Sequence, residues 1–257
     1  MINKYWRRIL LFIILFTLLC GGVYIFTKMH MSFTTIDADN PPQFIQSNVV
    51  DLNKVTMISK FRSGAGHDHS NGSSETCRSM KHYFYNVGPG ERLLPKEQLA
   101  DPIEGKDRTI MSPVNGKIDR IERGDRRLND EITVIADSQP DIRIRLQHVT
   151  PLTNIKEERV TAGQLIGVAG QSFDVVLERL IFPTMKTQYI SYFAAMPDEL
   201  FTEYQLNGVK NRDELIITRA QRDAQPLRCG KDERFIRDPS TSFNEDFVYL
   251  RGSTTPN

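Results

Sequence analysis

The chain has 257 residues, 39% hydrophobic and 25% charged, with a formal net charge of +1. Residues 1–28 contain Lys4, Arg7, Arg8 and Lys28 and no acid, so the rest of the chain carries −3, the +1 less those four. That length holds one globular domain with additions or two small ones, and a mildly acidic main body excludes nucleic acid as the expected partner, because phosphate neutralisation needs a basic face.

The first element in chain order is apolar. Residues 9–27, "ILLFIILFTLLCGGVYIFT", run for about 19 positions without a charge. At about 1.5 Å per residue, a helix of that length crosses the hydrocarbon core of a bilayer. Lys4, Arg7 and Arg8 precede it, and the positive-inside rule then keeps the N-terminus cytoplasmic and the main domain extracytoplasmic. The rival reading is a cleaved signal peptide, whose apolar stretch is shorter and ends in a small-x-small site. Here the chain turns apolar again at "VYIF", and Leu19 stands before Cys20 where a lipoprotein site wants a small residue. The expectation is an uncleaved single-pass anchor over residues 1–28 in the cell membrane. Residues 29–55, with "DADNPPQ" and the paired Pro41 and Pro42, are expected to form an extended stalk.

Residues 56–196 read as a β domain. "TIMSPVNGKIDRIE" has β-branched residues on both sides of Asn115-Gly116, which predicts a hairpin turning at that dipeptide. "EITVIAD" and "DIRIRLQHV" follow, separated by "SQP". In the second, Ile142, Ile144 and Leu146 alternate with Arg143, Arg145 and Gln147, which predicts one buried and one solvent face. "QLIGVAG", "FDVVLERLIF" and "TQYISYF" continue the series. Many short strands with Gly and Pro at the turns predict an antiparallel β-sandwich or open barrel. Residues 197–257 change character: "PDELFTEYQLNG" places Leu200, Phe201 and Tyr204 at helical spacing, and "RDELIITRAQRDAQP" is expected to hold a second short helix. Cys20 lies in the apolar segment. Cys77 and Cys229 are left for an oxidising compartment, as a disulfide or as two thiols.

At "SPVNGKI" (112–118) and "RVTAGQLIGVAG" (159–170) the sequence resembles the lysostaphin-type zinc metallopeptidases, which cleave peptide cross-bridges in bacterial cell walls. Over roughly residues 61–193 the motifs follow the family's order. The resemblance implies a duplicated-hybrid-motif β fold, with a zinc ion held by a His-x-x-x-Asp pair and the second histidine of a late His-x-His. Three such ligands leave a position for water, whose pKa falls towards neutrality, and nearby imidazoles move its proton. Carried over by position, His67 takes the place of the first ligand, but Asn71 stands where the family has aspartate. His148, ending "IRIRLQH", takes the place of an upstream catalytic histidine. At "DVVLE" Asp174 replaces the first histidine of His-x-His and Val176 the zinc-binding one. "SKFRSGAGHDHS" and "ETCRSMKHYF" further resemble a divergent branch of the superfamily, among bacterial and archaeal secreted proteins, that has aspartate at the late position.

Two readings follow. In one, His67, His69 (or Asp68), His148 and Asp174 form a rearranged set for zinc in a cell-wall endopeptidase, with His148 and Asp174 catalytic. In the other, the site is degenerate and the domain binds wall peptide, glycan or an envelope protein without catalysis. Arg78 and Lys81 are candidates to pair with Asp68 or Asp174 and stabilise a metal-free site. His82 reads as a packed histidine, the run Tyr83, Phe84, Tyr85 as core packing or a sugar-stacking surface, "RGDRR" (123–127) as a solvated turn, and Glu157 and Glu158 as loop surface.

Overall fold

The computed structural model describes residues 4–28, 30–86, 108–124, 130–229, 235–237 and 245–250. The unbroken apolar run forms α1 (Lys4–Lys28), which contains a window, Tyr5–Gly22, long and apolar enough to cross a membrane. The β-branched runs form β1 (Met31–Ser32), β2 (Met57–Ser59), β3 (Gly66–His67), β4 (His82–Tyr85), β5 (Arg108–Met111), β6 (Gly116–Glu122), β7 (Glu131–Ala136) and β8 (Gln139–Gln147). They continue as β9 (Thr150–Pro151), β10 (Arg159–Val160), β11 (Leu165–Ala169), β12 (Ser172–Ile181) and β13 (Lys186–Ile190). Two helices, α2 (Asp198–Leu206) and α3 (Arg219–Ala224), precede β14 (Phe235–Arg237) and β15 (Phe247–Tyr249).

The fold is mainly antiparallel β. The largest sheet has the order β10-β6-β7-β8-β12-β4-β2-β15, with β1 and β13 also on β12, and β5-β11-β9 form a separate three-stranded sheet. Ile142, Ile144 and Leu146 of β8 are fully buried while Arg143, Arg145 and Gln147 are half-buried, the alternation that period two demands. Ile118 and Ile132 of the large sheet share one apolar core with Ile110 and Ile166 of the small one. β12 lies inside the large sheet: Asp174 pairs across to Gln147 of β8 on one edge and to Tyr83 of β4 on the other. Its residues 172–177 are accordingly buried without alternation.

Asn115-Gly116 does not turn a hairpin. β5 and β6 lie in different sheets, and β6 pairs with β7 and β10. Gly116 serves close approach instead: a Cβ there would stand 2.0 Å from the Ile135 carbonyl oxygen. Asn115 ties loops together, accepting from Ala162 N–H at 2.9 Å through its side chain and donating its own N–H to Gln46. The stalk reading also gives way over residues 44–55. Phe44, Ile45, Val49 and Val50 are buried in the core, and the Phe44 N–H donates to the Ala195 carbonyl. Their spacing matches neither strand nor helix, which is why periodicity missed them. Phe201 and Tyr204 of α2 pack on the same core, with Tyr204 4.9 Å from Phe193, and β15 extends the large sheet beside β2. Cys77 and Cys229 are joined in a disulfide across a separation of 152 residues.

Candidate functional site

The glycines of "FRSGAGHDHSNG" place the first histidine. Gly66 has φ +70, and a Cβ there would fall 1.9 Å from the Tyr83 hydroxyl. Only glycine lets the chain pass so close. The Tyr83 hydroxyl in turn accepts the His67 N–H at 3.1 Å. His67 ends β3 and His69 lies beyond it, their rings 6.4 Å apart and tilted by 56°. Asp68 between them is spent on the loop: its Oδ1 accepts from Ser70 N–H at 2.9 Å, Ser70 hydroxyl at 2.5 Å and Arg78 N–H at 3.2 Å. It organises the turn through that one oxygen.

Two buried arginines brace this loop. Arg62, 1% exposed, bonds Glu75 through its Nε at 2.8 Å and Asp39 through Nη1 at 2.6 Å. Arg78 bonds Glu75 and Asp223, both at 2.8 Å. The Arg78 guanidinium is thus committed away from Asp174.

Asp174 is the centre of the constellation. It is fully buried, and its Oδ2 lies 2.5 Å from Lys81 Nζ and 3.5 Å from His148 Nε2. The Lys81 ammonium is also buried, donates to Gln147 Oε1 at 3.0 Å and sits 4.6 Å from the Tyr83 ring centroid. Burial alone would raise the Asp174 carboxyl, but Lys81 and then His148 outweigh it and hold it below the ordinary carboxylate range. His148 reaches this position through a left-handed backbone, φ +62, with its N–H on the Asp130 carbonyl at 2.9 Å and its side chain a third exposed. His69 lies in the same field. Burial, then the Lys81 charge, lowers its pKa to about 3, so its imidazole is neutral at physiological pH. Among the described residues, His69 Nδ1 and Asp174 Oδ1 are buried without a hydrogen-bond partner.

The structure thus brings Asp174, His148 and Lys81 into contact, with His69 and His67 alongside. Asn71 is exposed on its turn, and Val176 is fully buried in the core. His82 is fully buried between Phe61 and Phe193, its Nδ1 bonded to the Ser59 carbonyl and its Nε2 to the Ser191 hydroxyl. Tyr83, Phe84 and Tyr85 are at most 5% exposed, so the sugar-stacking alternative fails for want of a free ring face. Arg123 lies 3.8 Å from Asp130, while residues 125–127 of "RGDRR" fall outside the described residues. Glu157 and Glu158 are exposed.

Sequence reasoning missed the polar network beside Asp174. Arg145 grips Glu131 at 2.6 and 2.8 Å and Glu178 at 3.2 Å, and Gln147 links Glu131 to Lys81. The signal was the polar half of the β8 alternation, which reads as solvated until a neighbouring strand supplies acids.

Two of the three ligand positions that the resemblance supplies hold residues that do not suit zinc. Val176 offers no ligand atom, Asn71 is exposed on its turn, and the Asp174 carboxylate is already ion-paired to an ammonium 2.5 Å away. Among the described residues, no three His, Cys, Asp or Glu side chains are grouped to hold a metal ion.

No protein-family model and no curated protein matches the chain. Solved structures do. The catalytic domain of lysostaphin from Staphylococcus simulans matches at 17% identity, over 54% of this chain and 90% of that one, with a TM-score of 0.31. A zinc-containing peptidase from Vibrio cholerae matches at 12% identity, over 61% and 41% of the two chains, with a TM-score of 0.37. The SpoIIQ–SpoIIIAH pore-forming complex matches at 11% identity, over 63% and 98%, with a TM-score of 0.38. The matched region spans 46% of the longer lysostaphin chain. The chain is therefore similar to peptidases of the lysostaphin type.

Proposed function

We propose that this chain is a membrane-anchored, peptidase-like domain of the cell envelope that works without a metal and without peptide hydrolysis. It would bind or regulate an envelope component: wall peptide, glycan or a protein partner. The observation that carries this reading is the buried Lys81–Asp174 pair at 2.5 Å. It supplies a positive charge beside Asp174, where a metal would otherwise bring one. An ammonium held by Asp174 and Gln147 polarises no water in the way a Lewis acid does.

The anchor reading rests on α1 and on the basic residues that precede it. A reporter fused after Asn257 is expected to be active outside the cytoplasm, and a cytoplasmic signal would overturn that orientation. For the site, the test is metal analysis of the full-length protein purified in detergent, with muropeptides and glycine-rich peptides as trial substrates. The expected result is no stoichiometric zinc and no cleavage. Stoichiometric zinc that is lost on His67→Ala would instead establish the rearranged endopeptidase site.

A further inference from the structure

Outside α1, five large apolar side chains among the described residues are exposed: Phe33 (67%), Leu165 (42%), Phe182 (39%), Met185 (47%) and Leu206 (69%). Three of the five meet at one place. Phe33 packs edge-on against Phe182 with centroids 5.6 Å apart, and Met185 occupies the same four-residue turn as Phe182, between β12 and β13. Single exposed hydrophobes are ordinary, but a cluster at a hairpin tip is not, because such turns favour Gly, Asn, Asp and Pro. Met185 sharpens the point. Its φ is +54, a left-handed position where glycine or asparagine is unstrained and methionine is not. The residue next to it, Lys186, is exposed.

The position of this tip in the fold supplies its partner. β1 pairs in parallel with the end of β12, Ser32 opposite Ile181, and the Phe182 N–H donates to the Ser32 carbonyl at 2.8 Å. The junction is fixed further by His30, whose Nδ1 lies 2.8 Å from the Pro140 carbonyl oxygen. α1 ends at Lys28, five residues before Phe33. Five residues fully extended span at most about 17 Å, so Phe33 stays within about that distance of the end of the helix that crosses the bilayer. The apolar tip therefore cannot leave the neighbourhood of the lipid surface.

We infer that Phe33, Phe182 and Met185 dock the domain onto the bilayer, with the β12–β13 turn dipping into the headgroup–acyl boundary and Lys186 at the headgroup level. Aromatic and aliphatic side chains flanked by lysine are the composition that seats a surface in that boundary. The inference rests on α1 remaining as an anchor, as proposed above.

The test uses the full chain in proteoliposomes, with Trp6 replaced by phenylalanine and a reporter introduced by Phe182→Trp or, in a second variant, Met185→Trp. Position 182 is remote from α1 in sequence, so its depth reports docking and not the helix. The expected result is a blue-shifted emission that loses most of its intensity when the lipid is exchanged for one brominated high in the acyl chain. Emission at the wavelength of a water-exposed indole, unchanged by bromine, from protein that survives carbonate extraction would refute docking alone. Release of the protein by carbonate would refute the anchor, and docking with it.

Discussion

Replacing Lys81 by methionine removes the charge from a buried pair while keeping most of the side chain's length. Lys81 is 2% exposed and Asp174 fully buried, and their atoms meet at 2.5 Å. What remains for the carboxylate is His148 Nε2 at 3.5 Å, on a side chain a third exposed. Breaking a buried ion pair from one side leaves a desolvated charge and costs about 3–5 kcal/mol. The same reasoning gives a signature in pH. In the parent protein Lys81 keeps the Asp174 carboxyl below its ordinary range, so its contribution is present at neutral pH and lost only in acid, as pH falls through the depressed folded value. In Lys81→Met burial dominates and raises that carboxyl, so the folded variant binds a proton more readily than the unfolded chain. Its deficit is then largest near neutrality and shrinks as pH falls. The charge-free pair Lys81→Met/Asp174→Asn should recover most of the loss, since removing both charges of a buried pair is close to neutral. The assay is urea unfolding of the detergent-solubilised chain followed by circular dichroism, for the parent, both single variants and the double variant. A Lys81→Met protein within about 1 kcal/mol of the parent at neutral pH, with no change in pH dependence, would refute the pairing as the element that holds this site.

Other expectations concern parts of the fold away from that pair. Burial lowers the pKa of His82 to about 4 and that of His69 to about 3, so both are neutral in the fold and protonate first in the unfolded chain. Stability should therefore fall as pH drops from about 6.5 towards 4, and His82→Gln should flatten that slope in the same urea titration; a flat parent profile over the window would contradict it. Gly66→Ala places a methyl group 1.9 Å from the Tyr83 hydroxyl at φ +70, and should lower stability by about 2 kcal/mol or more. Thermal unfolding of that variant measures the loss, and a parent-like midpoint would mean the loop shifts freely. Removing the Cys77–Cys229 bridge by Cys77→Ser/Cys229→Ser frees a loop of 152 residues' separation and should reduce stability by about 2–5 kcal/mol in a urea titration. An unchanged midpoint would show that the tail is held by packing alone.

The parts of this fold that sequence reveals are those where one interaction dominates locally. β8 shows its two faces because a two-layer environment rewards strict alternation, and α1 shows itself because nothing interrupts its apolar run. α2 was visible from the spacing of Phe201 and Tyr204. Non-local choices were hidden. Asn115-Gly116 carries the local chemistry of a hairpin, yet the position is decided by the Ile135 carbonyl, a contact that the local sequence does not announce. Phe44, Ile45, Val49 and Val50 are buried as irregular chain, so no period marks them. At the site, Asp174, His148, His67 and His69 could be named from motif order, and the pairing of Lys81 with Asp174 was one of the alternatives left open. Whether Lys81 or Arg78 would take Asp174 was decided by Glu75 and Asp223, which claim the Arg78 guanidinium.

β12 has a geometric consequence. One uninterrupted strand carries Asp174 near its start, and Phe182 follows directly after its end. Eight residues of extended chain separate them, or at most about 26 Å at 3.3 Å per residue. With the turn seated on lipid, the strand becomes a ruler: it caps the height of the Asp174 site above the membrane at roughly that length. A partner would have to present itself within this shallow zone, so the reach of the domain is set by a strand and not by a tether.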